Sequence, residues 1–233
     1  MAGEGRKLRV YGMALSANVV RVATVLNEKG LDFDLVPVDL RTAAHKQPHF
    51  LALNPFGQIP VLQDGDEVLY VFLFTVLSII RLKVPRDKPA HRDQVQGGGR
   101  RPSAGGGVPA KLEVWLEVES HHFYPAISGL VFQLLIKPLL GGATDTAAVD
   151  EHAAALAQVL DVYDAHLAGS RYLAGNRFSL ADANHMSYLL FLSKTPMAEL
   201  VASRPHVKAW WDDISSRPAW KKTAAAIPFP PAA

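Results

Sequence analysis

The chain has 233 residues, of which 49% are hydrophobic and 20% are charged, and its formal net charge is +2. This balance is typical of a soluble protein with one large or two modest domains, and it gives no reason to expect nucleic acid or an anionic membrane as a partner. The chain contains no cysteine, which excludes disulfides, thiolate metal sites and catalysis by a protein thiol.

The start of the chain and its most apolar run indicate where the protein resides. Residues 1–12 lack the apolar core that a secretory signal needs. The run Leu69–Ile80 is about half as long as the roughly 20 residues that cross a membrane as a helix. We therefore expect a cytoplasmic protein without a membrane segment.

The first part of the chain alternates between strand and helix patterns. Residues 7–12 and 32–40 predict strands, and residues 16–30 predict a helix whose apolar positions recur at helical spacing. Ser16 is a plausible N-cap of that helix and Gly30 is its expected stop. The order strand, helix, strand is typical of a small α/β domain.

An irregular segment and a hairpin follow. Residues 45–57 contain two prolines and a short helical piece. Residues 58–70 predict two strands joined at Asp64-Gly65, a dipeptide suited to a tight turn.

From Lys111 onward only helical patterns occur. A long helical pattern over residues 110–140 is followed by further patterns at 149–169, 179–193 and 204–227. The pattern at 179–193 begins with the capping-box spacing Ser179-x-x-Asp182. The sequence thus predicts an α/β N-terminal domain and an all-α C-terminal domain. We place these domains at residues 1–83 and 110–233, with a Gly/Arg-rich linker over 84–109.

Five motifs from both parts of the chain carry a family resemblance. The stretches YGMALSANVVRV, AHKQP, LNPFGQIPVLQDGD, FSLADANH and RPHVKAWWDDISSRPAW resemble the phi class of plant glutathione transferases, in order and at family-like spacing. The resemblance covers residues 7–70 and 110–228. It implies a thioredoxin-like N-terminal domain that binds glutathione, a helical domain that shapes an electrophile pocket, a homodimer, and neither a metal nor a prosthetic group.

The resemblance assigns Ser16 the catalytic role. Only the thiolate of glutathione is a good nucleophile, and a thiol with a pKa of about 8.5 is mostly protonated at neutral pH. A hydroxyl that donates to the sulfur favours the anion, and a helix N-terminus adds partial positive charge. On position alone a simple N-cap is the favoured interpretation of Ser16, and the family motif around it favours the catalytic role.

Other residues match the glutathione-binding positions of the family. His45 and Lys46 match positions at the glycine end of glutathione, where a cation or donor suits the carboxylate. Gln58, Ile59 and Pro60 match the entry to the third strand, and Pro60 resembles the cis-proline of the family. Without the resemblance, a solvated loop and a trans peptide bond would be the default interpretations.

The remaining candidates concern the electrophile pocket and metal binding. Met13, Phe123 and Ile127 could line the pocket, although core packing explains them equally well. His121-His122 resembles a metal pair, but adjacent helical residues point apart and no further ligand joins them. Trp210-Trp211 is interpreted as helix packing.

The sequence departs from the family after Tyr70. The family has a Glu-Ser-Arg-Ala-Ile helix start there, which holds the γ-glutamyl end of glutathione, whereas this chain has Val71-Phe72 and no such motif downstream. We wrote the codons that can encode residues 85–104 and read them again one base further on. The shifted codons are compatible with Ser-Arg-Ala-Ile and with the helix that follows it in the family. We therefore interpret residues 71–109 as a frame-shifted or intron-derived segment; a genuine Gly-rich linker and a basic phosphate loop are the rival interpretations.

The resemblance, and the departure from it after Tyr70, imply two alternative functions. The first is glutathione S-transferase activity on hydrophobic electrophiles, as in xenobiotic detoxification, with the Ser16 hydroxyl stabilising the thiolate. The alternative is a non-catalytic or inactive ligand-binding variant, because the γ-glutamyl-binding motif is missing.

Overall fold

The computed structural model describes residues 8–70 and 110–229. The predicted linker, the domain boundary at residue 83 and the departure from the family at 71–109 therefore lie outside the described residues. The described residues belong to two units, one containing residues 8–70 together with the last helix, the other containing residues 110–217.

The first unit is built on a four-stranded mixed sheet in the order β2-β1-β3-β4. Strand β1 runs parallel to β2 and antiparallel to β3, and β3 pairs antiparallel with β4. The strands are β1 (Leu8–Gly12), β2 (Phe33–Pro37), β3 (Val61–Asp64) and β4 (Glu67–Leu69), and the first two helices are α1 (Ala17–Glu28) and α2 (Pro48–Leu51).

The sheet and the first two helices contribute buried apolar residues. Val10 of β1 and Val22 and Leu26 of α1 are fully buried. One cluster of buried residues contains Phe50 of α2 and Val61 of β3. The burial of alternate residues of β1 follows from the two-residue period of a strand, which places every second side chain on the same face.

The predicted hairpin is present, but its turn is shifted by one residue. Asp64 pairs with Glu67, so Gly65 and Asp66 form the two-residue loop. Gly65 has a φ of 59°, a left-handed value that glycine adopts without a steric penalty. The glycine signal therefore marks the turn correctly, while Asp64 still belongs to β3.

Lys29 is the C-cap residue of α1, and its side chain has an unusual pKa. Burial lowers the pKa of this amine from 10.5 to about 8. Because the charged form is disfavoured in the folded state, the contribution of this group to stability increases as the pH rises from about 8 to 10.5. At pH 8 about half of the Lys29 amine is neutral, compared with roughly 0.3% for a lysine of pKa 10.5.

We expect Lys29 to be acylated with a pH midpoint near 8, because only the neutral amine is nucleophilic. Pulse labelling with acetic anhydride between pH 6 and 11, followed by peptide mass spectrometry, measures this profile. The exposed Lys111 and Lys221 serve as internal references. A Lys29 profile that still rises steeply above pH 10 would contradict the expectation.

Among its described residues the second unit is built from helices, with one isolated antiparallel bridge between Tyr172 and Gly175. The chain is helical from Ala110 to Leu139, as the sequence pattern predicts, but π-helical turns at Glu119–Phe123 and Phe132–Ile136 interrupt the α-helical geometry. The α-helical pieces are α3 (Ala110–Val118), α4 (Tyr124–Val131) and α5 (Lys137–Leu139), and the later helices are α6 (Thr146–Leu167), α7 (Leu180–Leu192), α8 (Glu199–Ala202) and α9 (Pro205–Ser215).

The predicted C-terminal helix of residues 204–227 is divided in two. Helix α9 ends at Ser215 and α10 spans Pro218–Ala225. A proline cannot donate a helical hydrogen bond and disfavours helical geometry in the residue before it, so Pro218 begins a new helix.

Helix α10 belongs to the first unit. It packs against α1, and Asn27 Nδ2 donates to Thr223 Oγ1 over 2.9 Å. The contacts thus place this helix with the sheet, whereas the sequence pattern grouped residues 110–233 as one helical domain. A helical period identifies a helix but not the surface on which it packs.

Candidate functional site

Ser16 lies in the half-buried loop between β1 and α1. Its backbone N–H donates to the Met13 carbonyl over 2.9 Å, and its own carbonyl accepts from Val20 N over 2.9 Å. Ser16 has the extended backbone of an N-cap, but its side chain makes no capping hydrogen bond. The residue therefore starts the helix through its backbone, and its hydroxyl does not serve as the cap.

The segment Ile59–Pro60 lies beside the end of β1. Tyr11 pairs with Val61, so the residues just before Val61 run alongside Gly12 and Met13. A Cβ atom added to Gly12 would lie 3.6 Å from the Ile59 Cβ, which shows the closeness of the two segments. The Ile59–Pro60 peptide bond is cis, as expected from the resemblance.

Lys46 connects the segment that contains His45 to the loop before β3. Its ammonium donates to the carbonyls of Phe56 over 3.1 Å and Gly57 over 3.0 Å. Gly57 has a φ of 57°, and a Cβ there would lie 2.8 Å from the His45 carbonyl. Only glycine permits this close approach, which brings His45 and Lys46 next to the loop that ends in Gln58.

His45 and Gln58 differ in how they are held. The Nδ1 atom of His45 is buried and has no hydrogen-bond partner in the described structure. Gln58 is exposed, while its backbone carbonyl accepts a hydrogen bond from the Asn54 side chain. The structure thus gathers His45, Lys46, Gln58, Ile59 and Pro60 into one region of the first unit.

Asn54 is a positioning residue that sequence reasoning missed. It is 2% exposed, its Nδ2 donates to the Gln58 carbonyl over 2.8 Å, and its Oδ1 accepts from Phe56 N over 3.0 Å. These two bonds fix the loop that leads to Ile59. The dipeptide Asn54-Pro55 is a turn signal, because an asparagine side chain commonly bonds the backbone two residues further on.

The predicted electrophile-pocket residues lie in both units. Met13 is half-buried in the loop before Ser16. Phe123 and Ile127 are completely buried, and the ring of Phe123 packs 5.9 Å from Tyr163 and 4.3 Å from His185 between centroids. Both side chains are buried within the second unit, which agrees with core packing, and a role in an electrophile pocket stays a prediction.

The motifs discounted as functional have structural partners. His121 forms an exposed pair with Glu117 over 3.0 Å, and the described residues contain no cluster of three metal-ligating side chains. Trp210 is buried and its Nε1 donates to Asp182 over 3.0 Å, which agrees with a packing role. No helix within residues 8–70 and 110–229 is long and apolar enough to cross a membrane.

Comparison with known proteins identifies both parts of the chain. Residues 6–70 match the glutathione S-transferase N-terminal domain, and residues 123–218 match its C-terminal domain. Neither match includes the segment 71–109.

Individual relatives match nearly the whole length. Glutathione S-transferase 3 of Zea mays is 60% identical over 225 residues, which cover 96% of each protein. Glutathione S-transferase F13 of Arabidopsis thaliana is 40% identical over 228 residues, covering 96% of this chain and 98% of that protein.

Solved structures agree with these relatives. Glutathione S-transferase III in its apo form superposes with a TM-score of 0.84 at 64% identity, covering 97% of this chain and all of the other. Glutathione S-transferase I from mais, in complex with an atrazine glutathione conjugate, gives 0.83 at 39% identity, with 97% and 100% covered. The thioredoxin-like and all-helical units, the matched domains and the plant relatives together show that the chain belongs to the glutathione S-transferase family, among the plant phi-class members that its motifs resemble.

Proposed function

We propose that the chain conjugates glutathione to small hydrophobic electrophiles, with Ser16 as the group that stabilises the thiolate. The observation that carries this proposal is the geometry of Ser16: its hydroxyl stands at the start of α1 and makes no capping bond. An uncapped hydroxyl can donate to an external acceptor, and the helix N-terminus behind it favours an anion.

The proposed reaction follows from this placement. The thiol releases its proton to solvent, and the Ser16 O–H donates to the sulfur and lowers the thiol pKa. The sulfur lone pair then attacks an electrophilic carbon, forming a C–S bond. With a chlorinated aromatic substrate the C–Cl bond breaks and chloride leaves with its electron pair, so no redox partner or cofactor takes part.

The other residues of the region would hold the tripeptide. The cis Ile59–Pro60 segment lies beside the loop before Ser16, where the Ile59 backbone can pair with the peptide part of glutathione. His45, Lys46 and Gln58 form the polar surface next to it and suit the glycine carboxylate. No metal or prosthetic group is required by this scheme.

Lys46→Met is expected to raise the KM for glutathione about tenfold while changing kcat little. Methionine retains much of the aliphatic length but removes the cation, and with it the bonds to the Phe56 and Gly57 carbonyls that join the two segments. Steady-state kinetics with varied glutathione measures the two parameters separately. The exposed Lys208→Met, in the second unit, is the matched control. A fall in kcat with an unchanged KM would contradict the binding role.

A second function is favoured by one specific observation. The chain has no Glu-Ser-Arg-Ala-Ile sequence after Tyr70, where the family grips the γ-glutamyl end. A binder that does not turn over substrate is the function consistent with that loss. Turnover of 1-chloro-2,4-dinitrobenzene, measured together with retention on immobilised glutathione, separates the two functions. Transferase-like rates support the enzyme, whereas the absence of both turnover and retention supports the inactive variant.

The homodimer stays a prediction from the resemblance, and the cytoplasmic location stays a prediction from the sequence. Phe56 is consistent with a contact surface, because it is 65% exposed although large and apolar. Exposed aromatic residues of this kind are enriched in protein interfaces.

A further inference from the structure

Tyr163 and His185 form a hydrogen-bonded pair in the core of the second unit, and the proposed conjugation does not use it. Tyr163 lies on α6, His185 lies on α7, and both residues are completely buried. The Tyr163 hydroxyl oxygen and the His185 Nε2 atom are 2.9 Å apart. Because imidazole is a base near neutral pH, the buried phenol faces a group that can take its proton.

The second ring nitrogen of His185 determines which partner holds the shared proton. His185 Nδ1 lies 2.6 Å from the Ala181 carbonyl oxygen. A carbonyl oxygen only accepts, so Nδ1 carries the hydrogen of the neutral ring and Nε2 presents a lone pair. Tyr163 therefore donates and His185 Nε2 accepts. This hydrogen bond is a direct path along which the phenolic proton can move to the imidazole.

Glu119 determines which charge the pair tolerates. It is buried in the π-helical turn Glu119–Phe123. Burial, and then the negative charge of Glu119, raise the pKa of the Tyr163 hydroxyl well above its ordinary value, so Tyr163 does not become a buried anion. Loss of an electron with transfer of the proton instead leaves a neutral phenoxyl radical and a positive imidazolium. The negative charge of Glu119 attracts that positive charge and favours the oxidised pair.

Trp115 connects this pair to the surface of the second unit. It lies on α3 and is half-buried, so a solute can reach part of its ring. Its ring centroid lies 5.0 Å from that of Tyr163, at an interplanar angle of 83°. Two rings in edge contact can exchange an electron without an intervening group. Trp115 can therefore pass an electron from the buried Tyr163 to an oxidant in solution.

We propose that Trp115, Tyr163 and His185 form a radical trap, which reduces a diffusing one-electron oxidant such as a peroxyl radical and holds the oxidised state as a neutral Tyr163 radical. The oxidant takes one electron from Trp115. Tyr163 returns an electron to Trp115 while its phenolic proton moves to His185 Nε2, so an O–H bond breaks and an N–H bond forms. A thiol then gives one electron and releases its own proton to solvent, and His185 returns the phenolic proton. The trap uses neither Ser16 nor bound glutathione, so it operates whether or not the chain is a transferase.

Photoexcited ruthenium tris-bipyridine, oxidised by a cobalt(III) pentaammine quencher, supplies the one-electron oxidant for the test. Transient absorption of the full chain follows the tryptophanyl and tyrosyl radicals, and electron paramagnetic resonance after freeze-quenching identifies them. We expect a neutral tyrosyl radical to grow as the tryptophanyl radical decays, and to persist because a completely buried ring cannot couple with another chain. Its growth should be slower in heavy water, because a proton moves in the same step. Absence of a long-lived tyrosyl radical, or an unchanged rate in heavy water, overturns the proposal.

Three variants assign the steps to residues. Tyr163→Phe keeps a ring in the core and is expected to lose the long-lived tyrosyl radical. His185→Gln keeps an acceptor for the hydroxyl but supplies no base, so the radical should be lost there as well. Trp115→Phe leaves the pair intact and is expected to lose most of the radical yield. A radical that survives any of these changes undiminished overturns the role given to that residue.

Tyr188→Phe is the matched control, because Tyr188 is also a buried tyrosine and lies on the same helix as His185. It is expected to leave the long-lived radical unchanged, and a loss there would place the radical on Tyr188 and overturn the assignment. Urea unfolding of each variant shows whether it folds. Trp115→Phe changes a half-buried residue outside the Tyr163–His185 bond, so it keeps the proposal testable if the two core substitutions unfold the chain.

Discussion

Ser16→Ala is expected to lower kcat/KM for glutathione conjugation by about 10²–10³-fold, the usual effect of removing one donor that stabilises a developing or bound anion. Without the hydroxyl the sulfur of bound glutathione loses its hydrogen-bond donor. The thiol pKa then moves back toward its ordinary value of about 8.5. The rate at pH 6.5 should therefore fall further than the rate at pH 9.

The pH–rate profile is the measurement that distinguishes this role from a structural one. For the unsubstituted chain the profile of kcat/KM is expected to rise with an apparent pKa below the ordinary value for a thiol. For Ser16→Ala it should rise near that ordinary value. An unchanged profile with a uniformly lower rate would mean that Ser16 positions the substrate without stabilising the thiolate.

The structure also predicts that the substitution costs little stability. Replacing a capping serine by alanine usually destabilises by about 0.5–2 kcal/mol, because a backbone N–H loses its partner. The Ser16 hydroxyl makes no capping bond, so this loss does not arise. Ser16→Thr, which keeps the hydroxyl, is the matched control and should retain most of the activity. A large fall in the urea midpoint for Ser16→Ala would contradict the interpretation of the loop.

Local features of the fold could be predicted from the sequence because their causes are local. The apolar spacing after Ser16 defines α1, and the spacing Ser179-x-x-Asp182 marks the start of α7, where the structure contains a capping box. The hairpin at Gly65 follows from the freedom of glycine at positive φ. Each feature depends on residues within a few positions of one another.

Features that depend on distant contacts could not be predicted in the same way. Helix α10 continues the helical pattern of the second unit, yet it packs on α1, and only the Asn27–Thr223 bond and its neighbours identify that partner. Phe123 and Ile127 are apolar residues on a helix, and the pattern alone does not distinguish a pocket wall from a core. The π-helical turns have no comparable signal in the sequence.

The site shows the same division. The cis bond before Pro60 follows from a family motif, because an unassisted prediction would have chosen trans. Asn54 was missed although its dipeptide is a turn signal, since the sequence does not reveal which carbonyl its side chain will meet. The backbone partners of Lys46 are equally non-local, ten and eleven residues along the chain.

Asp182→Ala is expected to lower the free energy of unfolding by about 3–5 kcal/mol, because it leaves several buried donors without partners. Asp182 is completely buried. Its Oδ1 accepts from Leu173 N over 3.0 Å and from Trp210 Nε1 over 3.0 Å, and its Oδ2 accepts from Ser179 N and Ser179 Oγ, each over 2.8 Å. Burial raises the pKa of this carboxyl, and the four donors oppose the increase.

Urea unfolding followed by far-ultraviolet circular dichroism measures the effect. Asp150→Ala, on the exposed side of α6, is the matched control and should change the stability by less than about 0.5 kcal/mol. Asp182→Asn is expected to be nearly as harmful as Asp182→Ala, because the asparagine NH₂ faces donors whichever way the amide is turned. Recovery of most of the stability by asparagine would contradict the donor arrangement.

Single-donor variants test whether Asp182 acts as a junction or only as a cap. Ser179→Ala removes one hydroxyl from Oδ2, and Trp210→Phe removes one N–H from Oδ1 while keeping an aromatic ring in the core. If Asp182 only caps α7, then Trp210→Phe costs no more than its lost packing. If Asp182 joins the start of α7 to α9 and to Leu173, then Trp210→Phe destabilises the chain by more than its lost packing, and this excess disappears when Asp182 is already alanine. Because a cap and a junction share the same four bonds in the folded chain, only this double-mutant cycle separates them.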